Sequence, residues 1–262
     1  MNIGTITCSY YLKVYGYERP DDFNWGAMCD KWRSDLDGKG FLAFAAEIRA
    51  LGFNAIEIWE PTYSYMKYSI GEAEAMRKEL NAMGFETIAY CIGGWSPSSA
   101  NAVNSAYQFA KALGAEVVVG CIQDPDGILP AVETAGKKYG MRYAIENHPK
   151  PNLESPDEIA KAIAPYETVG ANLDTGIYNS QGYDLLGAYE LMKDKVFHVH
   201  LKDTLKGSND GCFPIGDGDA ELSALIKRLA ADGYKYMLSV EFEHDGDPTE
   251  GLKKSIDYIK AQ

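Results

Sequence analysis

Glu146, Asp174, His200 and Glu241 carry the clearest chemistry in this sequence. Each closes, or nearly closes, a short run of alternating character: RYAIEN, VGANLD, VFHVHLKD and MLSVEFE. Residues i and i+2 on a strand share a face. Tyr143 and Ile145 then oppose Arg142, Ala144 and Glu146. Val169, Ala171 and Leu173 oppose Gly170, Asn172 and Asp174. Phe197, Val199 and Leu201 oppose His198, His200 and Lys202, and Leu238, Val240 and Phe242 oppose Ser239, Glu241 and Glu243. Each run has an apolar face and a second face that turns polar toward its C-terminal end. Charged groups aimed at an interior are costly unless they are paired, hydrogen-bonded or bound to metal. Three carboxylates without a cation would repel one another and raise their own pKa values. A divalent ion removes that difficulty. Three oxygen donors and one imidazole suit Mn²⁺, Co²⁺, Mg²⁺ or Zn²⁺, with positions left for water or substrate. One such residue alone would read as a buried polar group tied up by hydrogen bonds. Four of them, mostly of one charge sign, favour the metal reading.

The elements that must position these residues follow a rhythm. An apolar-periodic helix ends at Gly52, Gly84, Gly114, Gly140 and Gly233, and a β-rich run follows each time. Glycine can close a helix in the left-handed conformation. The first four recur about every thirty residues, one strand plus one helix, which suggests βα units and a parallel sheet. The predicted strands are 2–8, 54–59, 85–91, 115–121, 142–147, 168–174, 196–202 and 236–243. The predicted helices are 40–51, 70–83, 99–113, 127–139, 156–164, 183–193, 219–232 and 248–260. Ser155-Pro156-Asp157-Glu158 is a strong helix start, with a capping residue, a proline at the first position and acids in the first turn. The expected architecture is a (β/α)₈ barrel, one α/β domain over 1–262, with its active site at the C-terminal strand ends. An open doubly wound sheet would want a Gly-rich phosphate loop after the first strand, and the sequence has none there. Segments 9–39 and 203–218 are the longest connections and are expected to cover a substrate.

Bulk properties narrow the function. Hydrophobic residues form 46% of the chain, enough for a sizeable core. No apolar run approaches the roughly 20 residues that cross a bilayer, and the N-terminus does not read as a signal peptide. The net charge of −13, with no basic cluster, argues against a nucleic-acid partner. Cys8, Cys29, Cys91, Cys121 and Cys212 are scattered, without a CxxC pair. A disulfide framework or zinc–thiolate site is not expected, and a cytoplasmic setting is the simplest. A homo-oligomer stays open.

The segments AIEIWEP, YAIENHP, GANLDTGIY, FHVHLKD, FPIGDGDA and SVEFE occur in this order along nearly the whole chain. In this set the chain resembles the xylose isomerase-like TIM-barrel superfamily, which includes sugar-phosphate isomerases, ketose 3-epimerases, inosose dehydratases and endonuclease IV. The resemblance implies Glu146, Asp174, His200 and Glu241 as ligands of one divalent metal, Mn²⁺ foremost. It implies Glu146 and Glu241 as the acid–base pair. It further implies a metal-stabilised enediolate formed by proton abstraction next to a carbonyl of a sugar or keto-sugar. Two positions depart from the ketose 3-epimerase pattern. Ile177 stands where those enzymes carry a histidine, and Lys206 where they carry an arginine. The HLKD run at 200–203 is more typical of the broader isomerase, dehydratase and lyase members.

Other residues are weighed around that centre. His148 could contact substrate or orient a ligand. Lys202 could reach a substrate oxygen or pair with a carboxylate, and Lys206 is a further candidate for substrate binding. Trp59, Trp95, Tyr10 and Tyr63 could offer aromatic faces to a sugar at the barrel mouth. Glu57 could buttress the interior against Arg142, His198 would sit deeper than His200, and His244 reads as a solvated loop residue. The turn at Gly216-Asp217-Gly218 could present amides to an anion. The leading activity is a metal-dependent isomerase or epimerase acting on a carbohydrate. The alternatives are a keto-sugar or inosose dehydratase or lyase on the same barrel, an endonuclease IV-like enzyme, and a catalytically silent sugar sensor.

Overall fold

The glycines expected to close helices do so. In the computed structural model, which describes residues 2–94, 100–208 and 211–262, Gly52, Gly84, Gly114, Gly140 and Gly233 all adopt positive φ, between 64° and 100°. Each releases the chain from a helix into the next strand. The strands are β1 (Asn2–Ile6), β2 (Ala55–Trp59), β3 (Thr87–Gly94), β4 (Ala115–Cys121), β5 (Arg142–Glu146), β6 (Val169–Asp174), β7 (Val196–Leu201) and β8 (Met237–Val240). They pair in parallel in sequence order, and β8 closes on β1 through Asn2 beside Met237 and Thr5 beside Val240. The chain is a single (β/α)₈ barrel, as the rhythm of the sequence predicted.

The helices are α1 (Trp25–Asp35), α2 (Gly38–Ala50), α3 (Ile70–Ala82), α4 (Ala100–Leu113), α5 (Pro125–Tyr139), α6 (Pro156–Ile163), α7 (Thr175–Ser180), α8 (Leu185–Met192), α9 (Leu222–Ala231) and α10 (Thr249–Lys260). The start read at Ser155 is a full capping box: its hydroxyl accepts from Glu158 N, and the Glu158 carboxylate accepts from Ser155 N. Among the described residues no helix is long and apolar enough to cross a membrane.

Two elements differ from expectation. Segment 9–39, read as one covering loop, contains α1. Asn24 caps that helix by accepting from Ala27 N at 3.0 Å. The Trp32 indole donates to Tyr11 O, and Arg33 reaches the buried Glu60 carboxylate at 2.6 Å, so α1 is fastened to the end of β2. The short α7 follows β6 directly because Asp174 caps it, Oδ1 accepting from Ile177 N at 2.9 Å. Tyr10 and Tyr63 are not mouth aromatics. Tyr10 packs edge-on against Phe44, and Tyr63 stacks on Tyr68 at 4.2 Å. Both rings are buried in the outer layer, because the 3₁₀ turns after β1 and β2 carry them away from the axis.

Candidate metal and active site

The ladder of β5 to β8 sets the site. Glu146 lies beside Asn172, Asp174 beside His200, and Leu201 beside Val240. Glu241 extends the β7–β8 pairing by donating its N–H to Leu201 O at 3.0 Å. The side chains that alternation assigned to the axis therefore meet. One ligand atom from each of Glu146, Asp174, His200 and Glu241 lies within 4.8 Å of the others, and all four residues are buried.

His200 is held from behind. Its Nε2 lies 3.1 and 3.0 Å from the two oxygens of Glu57, and His198 Nε2 lies 2.9 Å from Glu57 Oε2. The expected Glu57–Arg142 contact is absent. Arg142 sits at the opposite end of β5, bonds Glu167 O and covers the Phe197 ring. With Nε2 donating to Glu57, His200 presents Nδ1 to the acids, 3.0 Å from Glu241 Oε2 and 3.8 Å from Glu146 Oε1. Both His200 Nδ1 and Glu241 Oε2 are buried, face each other at 3.0 Å and have no other hydrogen-bond partner. A cation lying between them would satisfy both atoms, and the oxygen-rich donor set suits a divalent ion. The residues fit the metal.

The electrostatics agree with that fit. Burial pushes the Asp174 carboxyl above its usual range; Lys202 opposes the rise, and the Glu241 and Glu146 charges add to it. Glu241 moves the other way: burial would raise it, but Lys202 and His200 hold it low. Burial works against a His200 imidazolium, yet the Glu57 and Glu241 charges outweigh it and raise this pKa well above its usual value. A divalent cation at this centre would compete with a proton for Nδ1.

The neighbouring residues clamp this arrangement. The Asn147 side chain accepts from Asp174 N and donates to Asp174 O, at 2.9 and 3.1 Å. Thr175 Oγ1 donates toward Lys202 O and accepts from Lys202 N, at 2.8 and 2.9 Å, tying the end of β6 to that of β7. Lys202 pairs with carboxylates: its ammonium is 2.5 Å from Glu243, 3.6 Å from Glu241 and 4.0 Å from Asp174. Its stem passes directly over Gly176, where a Cβ would fall 2.5 Å from Lys202 Cγ.

A cleft of about 290 Å³ opens above the cluster. Glu146, His148, His200, Glu241 and Glu243 line one part, and Trp25, Trp59, Ile6, Cys8, Cys91 and Cys121 line the rest. His148 and Trp59 therefore both line the cleft. His148 Nδ1 also shares a 3.2 Å hydrogen bond with Asn152 Nδ2. Lys206 does not join them. Its exposed side chain projects from the turn after β7, whose backbone is held by Lys206 N donating to Asp219 Oδ1. Trp95 lies outside the described residues. His244 is exposed and stacks on Phe242. The amides at Gly216 and Gly218 are not free for an anion, because both donate to Asp203 Oδ2. A larger cleft of about 690 Å³ opens between Arg142, Lys195 and Tyr234, near the N-terminal ends of β5 and β7. Its Lys195 donates to the carbonyls of Ile163 and Tyr166, and none of the four converging side chains lines it.

Sequence reasoning did not single out Trp25, Asn147 or Thr175, and it missed the role of Glu57. Asn24 ahead of an amphipathic run was the available signal for α1 and Trp25. The others act through backbone or cross-barrel contacts that no local pattern encodes.

A profile of the family described as xylose isomerase-like TIM barrel matches residues 45–262. Among curated proteins, the inosose dehydratase of Lactiplantibacillus plantarum is 23% identical over 292 aligned positions, covering 91% of this chain and 96% of that one. That of Mesomycoplasma hyopneumoniae is 28% identical over 147, covering 48% of this chain, so the match spans about half the length of that relative, 49%. Among solved structures, 3-keto-D-glucoside 4-epimerase from E. coli superposes with a TM-score of 0.70 at 16% identity, covering 100% of both chains. This chain belongs to the xylose isomerase-like TIM barrel family.

Proposed function

We propose that this protein is a divalent-metal-dependent isomerase or epimerase that moves a proton at the carbon next to a carbonyl of a sugar or keto-sugar. The reading rests on one observation: three acids and one imidazole converge at the C-terminal mouth of the barrel, with His200 Nδ1 and Glu241 Oε2 facing each other and bonded to nothing else. Glu146, Asp174, His200 and Glu241 would hold the ion, Mn²⁺ foremost. When bound, it supplies Lewis-acid polarisation of a carbonyl and its neighbouring hydroxyl.

The chain does the rest. Glu146 and Glu241 come from β5 and from the end of β8, so they can reach a substrate in the cleft from different sides. One removes the proton and the other returns it. Glu57 orients His200 through Nε2 and fixes the tautomer. Lys202, anchored by Glu243, keeps Glu241 ionised. Trp59 and the buried cysteines keep water from one side of the cleft.

A second reading, dehydration of a keto-sugar or keto-inositol, draws support from the relatives named inosose dehydratase. It shares the proton abstraction and then expels a neighbouring hydroxyl. One experiment separates them: a substrate panel with Mn²⁺ in heavy water, followed by NMR. Deuterium incorporation with all oxygens retained supports the isomerase or epimerase, and a product one water lighter supports the dehydratase. Glu146→Gln and Glu241→Gln are each expected to abolish exchange with the fold intact. Full exchange in either variant rules out the two-glutamate scheme.

A further inference from the structure

We infer that the cleft is built for an uncharged polyol or keto-polyol, free of phosphate and carboxylate, which seats its C–H face on Trp25. This deepens the metal-dependent reading above and rests on it.

Charge carries the first part. Glu57, Glu146, Asp174, Glu241 and Glu243 surround the centre, and Lys202 is the one ammonium among them. A divalent cation added to that set still leaves the centre net anionic. At short range in a partly buried site, that field repels an anionic ligand. Beyond what the ion itself could coordinate, recognition of a phosphate or carboxylate uses an arginine, a lysine or a free set of backbone amides. Among the described residues no Arg or Lys lines the cleft, and 95–99 and 209–210 contain neither. Lys202 is committed to three carboxylates. Arg19, on the segment leading to α1, binds Asp245 at 3.1 Å and lies over Phe23. The Gly216–Gly218 amides are taken by Asp203.

Shape carries the second part. Trp25 opens α1 beside the cleft and remains 45% exposed although it is a large apolar side chain. It is held in place from behind, stacked on Tyr11 at 5.1 Å and meeting the Phe23 edge at 5.4 Å. The indole thus lines the cleft while Tyr11 and Phe23 brace it, and nearly half of its surface stays uncovered. Such a platform suits the C–H face of a ring whose oxygens point at the acid end. A volume near 290 Å³ is at the low end for ligand pockets and matches a single ring.

The test is calorimetric titration of the Mn²⁺-loaded protein with three ring-matched probes: myo-inositol, its carboxylated counterpart quinate, and myo-inositol 1-phosphate. The neutral polyol is expected to bind at least tenfold more tightly than either anion. Trp25→Ala should weaken it at least fivefold, Trp25→Phe should recover most of the loss, and Mn²⁺ affinity should stay unchanged in both. The inference is overturned if either anion binds as tightly as the neutral probe, if the neutral probe does not bind, or if Trp25→Ala binds it normally. Mn²⁺ affinity is measured first. Normal Mn²⁺ binding with any of these results sinks this inference alone, whereas loss of Mn²⁺ binding in the parent protein sinks the metal-dependent reading and this inference together.

Discussion

Glu57→Gln is the most informative single change away from the ligands. Glu57 is fully buried and accepts from His198 Nε2 at 2.9 Å and His200 Nε2 at about 3.0 Å. Glutamine preserves the volume but replaces one oxygen by an NH₂, which cannot accept from an imidazole N–H. One of the two bonds is therefore lost or His200 changes tautomer, and the other becomes a neutral bond. Exchanging a charge-assisted bond for a neutral one costs about 1–2 kcal/mol, and the pair together about 2–4 kcal/mol. For the metal, loss of such a supporting partner weakens affinity about 10- to 100-fold, or about 1.4–2.8 kcal/mol. The assays are Mn²⁺ titration by electron paramagnetic resonance and urea denaturation of the metal-free protein. Mn²⁺ affinity within twofold of the parent would refute the claim that Glu57 sets the orientation and proton position of His200.

Further outcomes follow from the same geometry. Removing metal with EDTA should lower the melting temperature, and Mn²⁺ at a hundredfold over its Kd should restore about 2.7 kcal/mol, which differential scanning calorimetry would register; an unchanged midpoint would argue that no ion binds the folded state. Gly176→Ala should cost about 1–3 kcal/mol by overpacking against the Lys202 stem and should reduce turnover by displacing its ammonium, read by denaturation and steady-state kinetics; a variant with parent-like stability would contradict the close approach. Glu133 anchors α5 to the start of β6, accepting from Thr168 N, Thr168 Oγ1 and Lys137. Burial would raise its pKa, but those bonds hold it at about 2. Because the folded value is depressed, its contribution is full above the unfolded value near 4.5 and is lost as pH falls toward 2. With solvent screening at this partly exposed site, Glu133→Ala should cost about 1–2 kcal/mol at pH 7 and progressively less below pH 4.5; a penalty independent of pH would point to packing instead.

The barrel was legible because its signals are local and repeated. Gly52, Gly84, Gly114 and Gly140 mark helix ends that need a left-handed residue, and the runs between them alternate as strands. The convergence of Glu146, Asp174, His200 and Glu241 was legible for a related reason: a period of two assigns the face, and ring closure brings neighbouring strand ends together. What escaped was the chemistry made across the barrel. Glu57 is 143 residues from His200 in sequence, and nothing local distinguishes a second-layer acid from one paired with Arg142. Trp25 escaped because the stretch from Ser9 to Lys39 was read as one covering loop, although Asn24 is a sound helix cap. Tyr10 and Tyr63 were misplaced because a 3₁₀ turn after a strand rotates the chain outward, and no periodic pattern signals where that rotation stops.

The proposed function requires one cation bound between Glu146, Asp174, His200 and Glu241. Anomalous diffraction at the manganese edge from crystals soaked in Mn²⁺ tests it directly. A single strong peak is expected within bonding distance of Glu146, Asp174, His200 Nδ1 and Glu241. No peak there, or a peak lodged instead between Glu57 and His198, would contradict it.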